Sequence, residues 1–191
     1  MFYIIVIAAA NILISLINAL CILPVDFKNF ANFLLFSALN TVAVIAVDGI
    51  TALFIRRLPE KWFSHNLKIF GVPEGERKLY KKLKVKAWKH LVPELGGFTN
   101  FHKDKLESRN DKIYLERFLL ESDYGVVIHI VNAVFGFLII LIPVIGSVKI
   151  SLPVAAVNFV LSLLPIIILR YNTPVLIRLL KHSCCTENKE R

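Results

Sequence analysis

Charge is scarce in this chain, and four long stretches carry almost none of it. Only 19% of the 191 residues are Asp, Glu, Lys or Arg, while 56% are hydrophobic. A mean hydropathy of +0.63 is too apolar for a soluble domain of this length. Cysteine is nearly missing too: Cys21 lies in an apolar block and Cys184-Cys185 near the C-terminus, which excludes a disulfide framework. No Cys/His cluster has the spacing of a zinc site, no glycine-rich loop suits a phosphate, and no Gly-x-Ser-x-Gly elbow occurs. Nor is there an internal repeat or a low-complexity tract. The two-residue alternation of a membrane β-barrel is also lacking, so spanning segments must be helices.

What the chain does have is length in its apolar blocks. Phe2–Leu23 (22 residues) and Gly125–Ile145 (21) carry no charge, Phe30–Ile55 (26) carries only Asp48, and Leu152–Leu169 (18) carries none. Crossing a hydrocarbon core of about 30 Å takes roughly 20 helical residues. The blocks therefore predict an all-α integral membrane protein with four spans, at about 2–23, 30–55, 125–145 and 152–169, in one membrane domain covering 1–191. The first block has no basic residue before Lys28 and no suitably placed small-residue cleavage site, so it is expected to be a retained span.

Lys and Arg set the orientation. The segment Arg56–Asp123 holds 16 of the 23 basic residues and the tail from Arg170 holds 5 more. The positive-inside rule then puts both termini and the segment 56–124 in the cytoplasm, as a multi-pass protein of the cell membrane. Within that segment, Glu74–His90 reads as one or two basic helices lying on an anionic leaflet. A further helix is expected to begin near Asp111 and run into the third span. Pro143 and Pro153 are expected to bracket the outer turn, and Thr173–His182 to form a short amphipathic helix with Pro174 in its first turn. With 16 basic and 10 acidic residues and no reader motif, the cytoplasmic segment does not suit nucleic acid.

Polar groups inside spans are expensive and therefore informative. Asp48 sits seven residues before Ile55, about 10 Å deep; it fits either a proton-handling role or a plain hydrogen bond to Asn11, Ser15 or Asn18. Glu121, Gly125, His129, Asn132 and Gly136 fall at helical spacing and form one stripe. His129 can take and return a proton near neutrality, or it can simply be a packed histidine. His102 and Glu107 have the His-x4-acid spacing of glycerolipid acyltransferases with a different acid, in a charged loop. His65, His90 and His182 read as surface groups.

Four motifs carry a resemblance. They are Leu58-Pro59-Glu60-Lys61-Trp62-Phe63 after a span, Val85-Lys86-Ala87-Trp88-Lys89, Glu121-Ser122 with His129, and Arg170-Tyr171-Asn172-Thr173-Pro174 after the last span. In order and spacing, the region from Leu58 to about Leu180 resembles the glycosyl-4,4'-diaponeurosporenoate acyltransferases of staphyloxanthin-type carotenoid synthesis. Tyr124, Val126 and Ile130 stand where that family has Arg, Glu and Trp.

The resemblance implies transfer of a fatty acyl group from a thioester, acyl-CoA or acyl-carrier protein, to a hydroxyl of a glycosylated carotenoid or other lipid-like acceptor. It implies no metal and no cofactor beyond that co-substrate, and membrane lipids as partners. It makes His129 the expected base, and Glu121 a group that orients it or binds the sugar. Lys86, Trp88, Lys89, Arg170, Tyr171 and Asn172 are the expected donor-binding residues, while Asp48 and Asn132 are intramembrane polar groups without an assigned task. Two other readings stay open: a non-catalytic scaffold or lipid-binding relative, and a small transporter component with Asp48 and His129 as a proton relay.

Overall fold

The computed structural model describes residues 27–92, 108–146 and 148–187, with Ala9 and Leu13. Among these there is no strand. Five α-helices follow one another: α1 (Phe27–Ile55), α2 (Glu74–Lys82), α3 (Val85–Trp88), α4 (Lys112–Phe135) and α5 (Val148–Glu187). Among the described residues, three segments are long and apolar enough to cross a bilayer, Phe30–Ile55, Lys112–Leu141 and Val148–Cys184. The first expected span, 2–23, lies outside the described residues, as do Cys21, His102 and Glu107. The chain divides into two compact units, one formed by Met1–Phe54 and Ile130–Leu163, the other by Ile55–His129 and Leu164–Arg191.

In the first unit the burial pattern is the reverse of a soluble protein. Leu35, Val42, Ile45, Ile50, Leu53 and Phe54 point outward, while Ser37, Asn40 and Thr51 of the same helix are buried. Hydrocarbon offers no reward for burying leucine but penalises an exposed polar group, so small and polar residues take the helix contacts. Thr41 Oγ1 donates to Ser37 O at 2.9 Å, and Asn40 Nδ2 to Phe36 O at 2.8 Å. Val44, Ile139, Val154 and Ala155 form the apolar part of this core. Gly146, at φ 126°, turns the chain between its last 3-10 turn and α5, a backbone region closed to most side chains.

The second unit is built on longer contacts. Asp111 caps α4 by accepting from Tyr114 N at 3.0 Å, which starts the helix where the sequence predicts. Leu115, Phe118 and Leu119 of α4 pack on Leu176 and Leu180 of α5. α2 starts after Pro73 with Glu74 and Glu76 in its first turn and ends with Lys81 and Lys82, each complementing the helix dipole. Lys84 then adopts φ 51°, at a cost of about 1 kcal/mol for a residue with a Cβ. That turn redirects the chain so that Val85 is buried beside Val72 and Tyr80.

Several expectations are corrected. The tail is not a separate helix: α5 runs from Val148 through Glu187 without a break. Pro153 lies inside it rather than at the turn, and only Pro143 opens a turn, a 3-10 segment. At Pro174 the helix loses one N–H donor, yet Leu176 and Leu180 remain buried on α4 beyond it. Thr173 Oγ1 meanwhile bonds Leu169 O at 3.0 Å. Packing outweighs the lost bond, as it commonly does for proline in membrane helices. The third span also changes character, passing from α-helix to a 3-10 segment at Gly136–Leu141.

Candidate functional site

The second unit holds a polar cavity of about 500 Å³, lined by Arg56, Glu60, Arg117, Leu120, Glu121 and Tyr124. Local chain geometry explains its walls. α1 ends at Ile55, a turn closes with Leu58 N on Ile55 O at 3.1 Å, and Pro59 leads into the 3-10 turn Glu60–Phe63. Phe63 then stacks on Tyr124 with ring centroids 4.1 Å apart, and the Tyr124 hydroxyl donates to Leu58 O at 3.2 Å. These contacts hold Arg56 against α4. Its guanidinium donates to both oxygens of Glu121, at 2.9 and 3.4 Å, and lies 5.9 Å from the centre of the Tyr124 ring. Two carboxylates, two guanidinium groups and a phenol therefore border one space.

His129 lies two turns along α4 from Glu121 and is half-buried. With α4 unbroken between them, eight residues separate them by about 12 Å, too far for a direct hydrogen bond. The stripe read from the sequence faces inward: Gly125, Asn132 and Gly136 are buried and Glu121 is largely so.

A second cluster in the same unit gathers residues 69–89 around the motif at 170–172. Lys89 Nζ donates to Asn172 Oδ1 at 2.9 Å and lies 5.2 Å from the centre of the Tyr171 ring. Burial, and then the charge of Lys86, hold the Lys89 ammonium below its usual pKa. Trp88 packs with Tyr171 against the Val72–Tyr80–Val85 core and donates its indole N–H to Leu83 O at 3.0 Å. Lys86 is exposed. Trp88, Lys89, Tyr171 and Asn172 are thus brought together.

Arg170 is placed differently from its neighbours in that motif. It donates to Glu76 through Nε at 2.5 Å and Nη2 at 2.8 Å, and to Gly71 O and Ile69 O at 3.0 and 3.3 Å. The Tyr80 hydroxyl also donates to Glu76. Arg170 therefore ties the 69–76 segment to α5. Its hydrogen bond holds the Glu76 carboxyl below the usual 4.5, against an opposing effect of burial, while burial followed by Glu76 raises the Tyr80 phenol. A carboxylate whose folded pKa is depressed adds stability above its unfolded pKa and loses it as pH falls through the folded value. Melting curves in detergent should therefore show the wild type losing its advantage over Glu76→Gln as pH drops below about 4.5.

Asp48 and Asn132 belong to the first unit and join neither cluster. Asp48 is hydrogen-bonded by Asn158; Asn11, Ser15 and Asn18 are outside the described residues. The sequence reading overlooked Asn158, although an amide inside an uncharged block was a visible signal. In the sequence Arg56 counts only as the first charge of the basic segment, and Glu60 and Arg117 have no role of their own. Glu76 carried no signal at all, since its partner is 94 positions away.

No metal-holding group of three or more His, Cys, Asp or Glu occurs among the described residues. No curated protein and no solved structure matches the chain. A family model does, over residues 59–182, a stretch that contains the second cluster, the cavity apart from Arg56, and all four motifs apart from Leu58. Because the match covers more than half of the 191 residues, the chain belongs to the glycosyl-4,4'-diaponeurosporenoate acyltransferase family.

Proposed function

We propose that the protein is a membrane acyltransferase that moves a fatty acyl group from a thioester to a hydroxyl of a lipid-like acceptor at the cytoplasmic face. The observation that carries this reading is the family match across residues 59–182. The cavity beside Glu121 supports it. Carboxylates accept hydrogen bonds and guanidinium groups donate them, so the lining suits the many hydroxyls of a sugar-like head group. The acceptor's head lies against Arg56, Glu60, Arg117 and Glu121, and its reacting hydroxyl extends along α4 toward His129.

His129 takes the hydroxyl proton as the oxygen adds to the thioester carbonyl. The tetrahedral intermediate collapses with cleavage of the C–S bond, and His129 returns the proton to the leaving thiolate. The donor, an acyl-CoA or an acyl-carrier protein, binds at the second cluster. There Trp88 and Tyr171 offer flat apolar faces, and Lys86 and Lys89 offer positive charge to phosphate. Both termini and the basic segment face the cytoplasm. The exposed Leu79 and Leu83 among the lysines of α2 and the following turn rest on the anionic leaflet.

A non-catalytic relative is the second reading, and one observation favours it. Tyr124 and Val126, at positions where the family carries Arg and Glu, are both buried as packing residues. Against it stands Arg56, which supplies a guanidinium directly to Glu121. The deciding assay is acyl transfer by the full chain in proteoliposomes, with a long-chain acyl-CoA and a glycosylated lipid acceptor. Glu121→Gln keeps the shape and removes the charge. It should raise the acceptor KM about tenfold, the worth of one charge-assisted hydrogen bond, with kcat little changed. A wild-type protein that forms no product with the acyl-CoA, nor with an acyl-carrier protein in its place, would leave only the scaffold reading.

A further inference from the structure

The intramembrane polar cluster of the first unit has no part in that chemistry, and its hydrogen bonding is incomplete. Asn158, 6% exposed, bonds Asp48 and donates its Nδ2 to Asn132 O at 3.3 Å. Gly136 makes room for it, since a Cβ there would collide with Asn158 Nδ2. Two oxygens are left over: Asn132 Oδ1 and Asp48 Oδ1 are buried and accept no hydrogen bond. Asn132 is only 5% exposed. Hydrocarbon cannot satisfy such atoms, and each one left alone costs on the order of several kcal/mol. Two oxygens of the cluster therefore lack a donor.

The surroundings indicate where a donor enters. Gly49, next to Asp48, is exposed, and a Cβ on it would meet no atom within 4 Å. Ile45, Ile50 and Leu53 around it face outward. The helix surface beside Asp48 is thus open on a lipid-facing side, at about 10 Å from the end of α1 by helical rise. A phosphate or sugar head would not reach that depth, and an ester offers only acceptors. A hydroxyl on an otherwise apolar molecule meets all three conditions.

We propose that Asp48, Asn132 and Asn158 form a binding site, within the bilayer, for the hydroxyl group of a lipid alcohol. The alcohol enters past Gly49 and donates its O–H to Asn132 Oδ1, and its hydrocarbon chain lies along the outward apolar residues of α1. The site is independent of acyl transfer and needs neither donor nor His129.

The test is photo-crosslinking of the full chain in nanodiscs with a long-chain alcohol bearing a mid-chain diazirine, compared with its methyl ether. The ether matches the alcohol in shape but cannot donate. Peptides from α1 and from residues 148–163 should be labelled about fivefold more by the alcohol, the factor one net hydrogen bond supplies. Asn132→Leu should bring alcohol labelling down to the ether level. Gly49→Leu, which fills the opening and touches no buried group, should do the same with the melting temperature retained. Equal labelling by alcohol and ether would overturn the proposal and leave water as the donor. Labelling that survives Gly49→Leu at full strength would overturn it as well.

Discussion

Replacing His129 with alanine is expected to lower acyl transfer by about 10²-fold or more, the usual contribution of a positioned general base. The effect should appear in kcat and kcat/KM together, because proton removal is needed only in the transition state. Acceptor and donor binding, measured separately, should stay near wild type. The loss should not be matched by Glu121→Gln, whose carboxylate faces Arg56 and the cavity and stands about 12 Å from the imidazole along α4. The readout is product formed per molecule of membrane-inserted protein. An alanine variant that inserts normally and keeps full activity would remove His129 from the chemistry and shift attention to the cavity carboxylates.

Arg170→Ala should be the most damaging substitution for stability. The guanidinium joins two carboxylate oxygens and two backbone carbonyls from the 69–76 segment. Its side chain is 16% exposed and that of Glu76 20%, so the pair is largely screened from water. Removing one partner leaves Glu76 charged in a largely buried position, which should cost about 3 kcal/mol. For a chain of this size that is a fall of about 6–12 °C in Tm in detergent. Arg170→Lys should recover little, since one ammonium cannot meet all four acceptors. A variant that melts normally but shows a raised KM for the acyl donor would instead identify Arg170 as the phosphate ligand that the sequence suggested.

Legibility followed the range of the interactions. The start of α4 near Asp111 and the apolar stretches within α1, α4 and α5 depend on neighbours within a few residues, and each was visible in the chain. The inward stripe on α4 was likewise a matter of helical period. The tail was misread for a physical reason: Pro174 is a strong local breaker, and only the burial of Leu176 and Leu180 on α4 carries α5 past it. The roles within the 170–172 motif also divided out of view. Tyr171 and Asn172 join Lys89, whereas Arg170 turns to Glu76, and nothing near in sequence distinguishes them.

By itself the sequence determined that this chain makes long apolar helices, that its basic residues collect between 56 and 123 and in the tail, and that its motifs are those of an acyltransferase family. Those properties are sums over local composition, spacing and charge, and they survive without knowledge of any contact. The tertiary structure alone decided that Arg56 meets Glu121, that Arg170 is an anchor, and that Asn158 serves Asp48 while two oxygens beside it go unsatisfied. Each of those pairings joins residues far apart in the chain, and which buried group finds a partner is settled only when the helices pack.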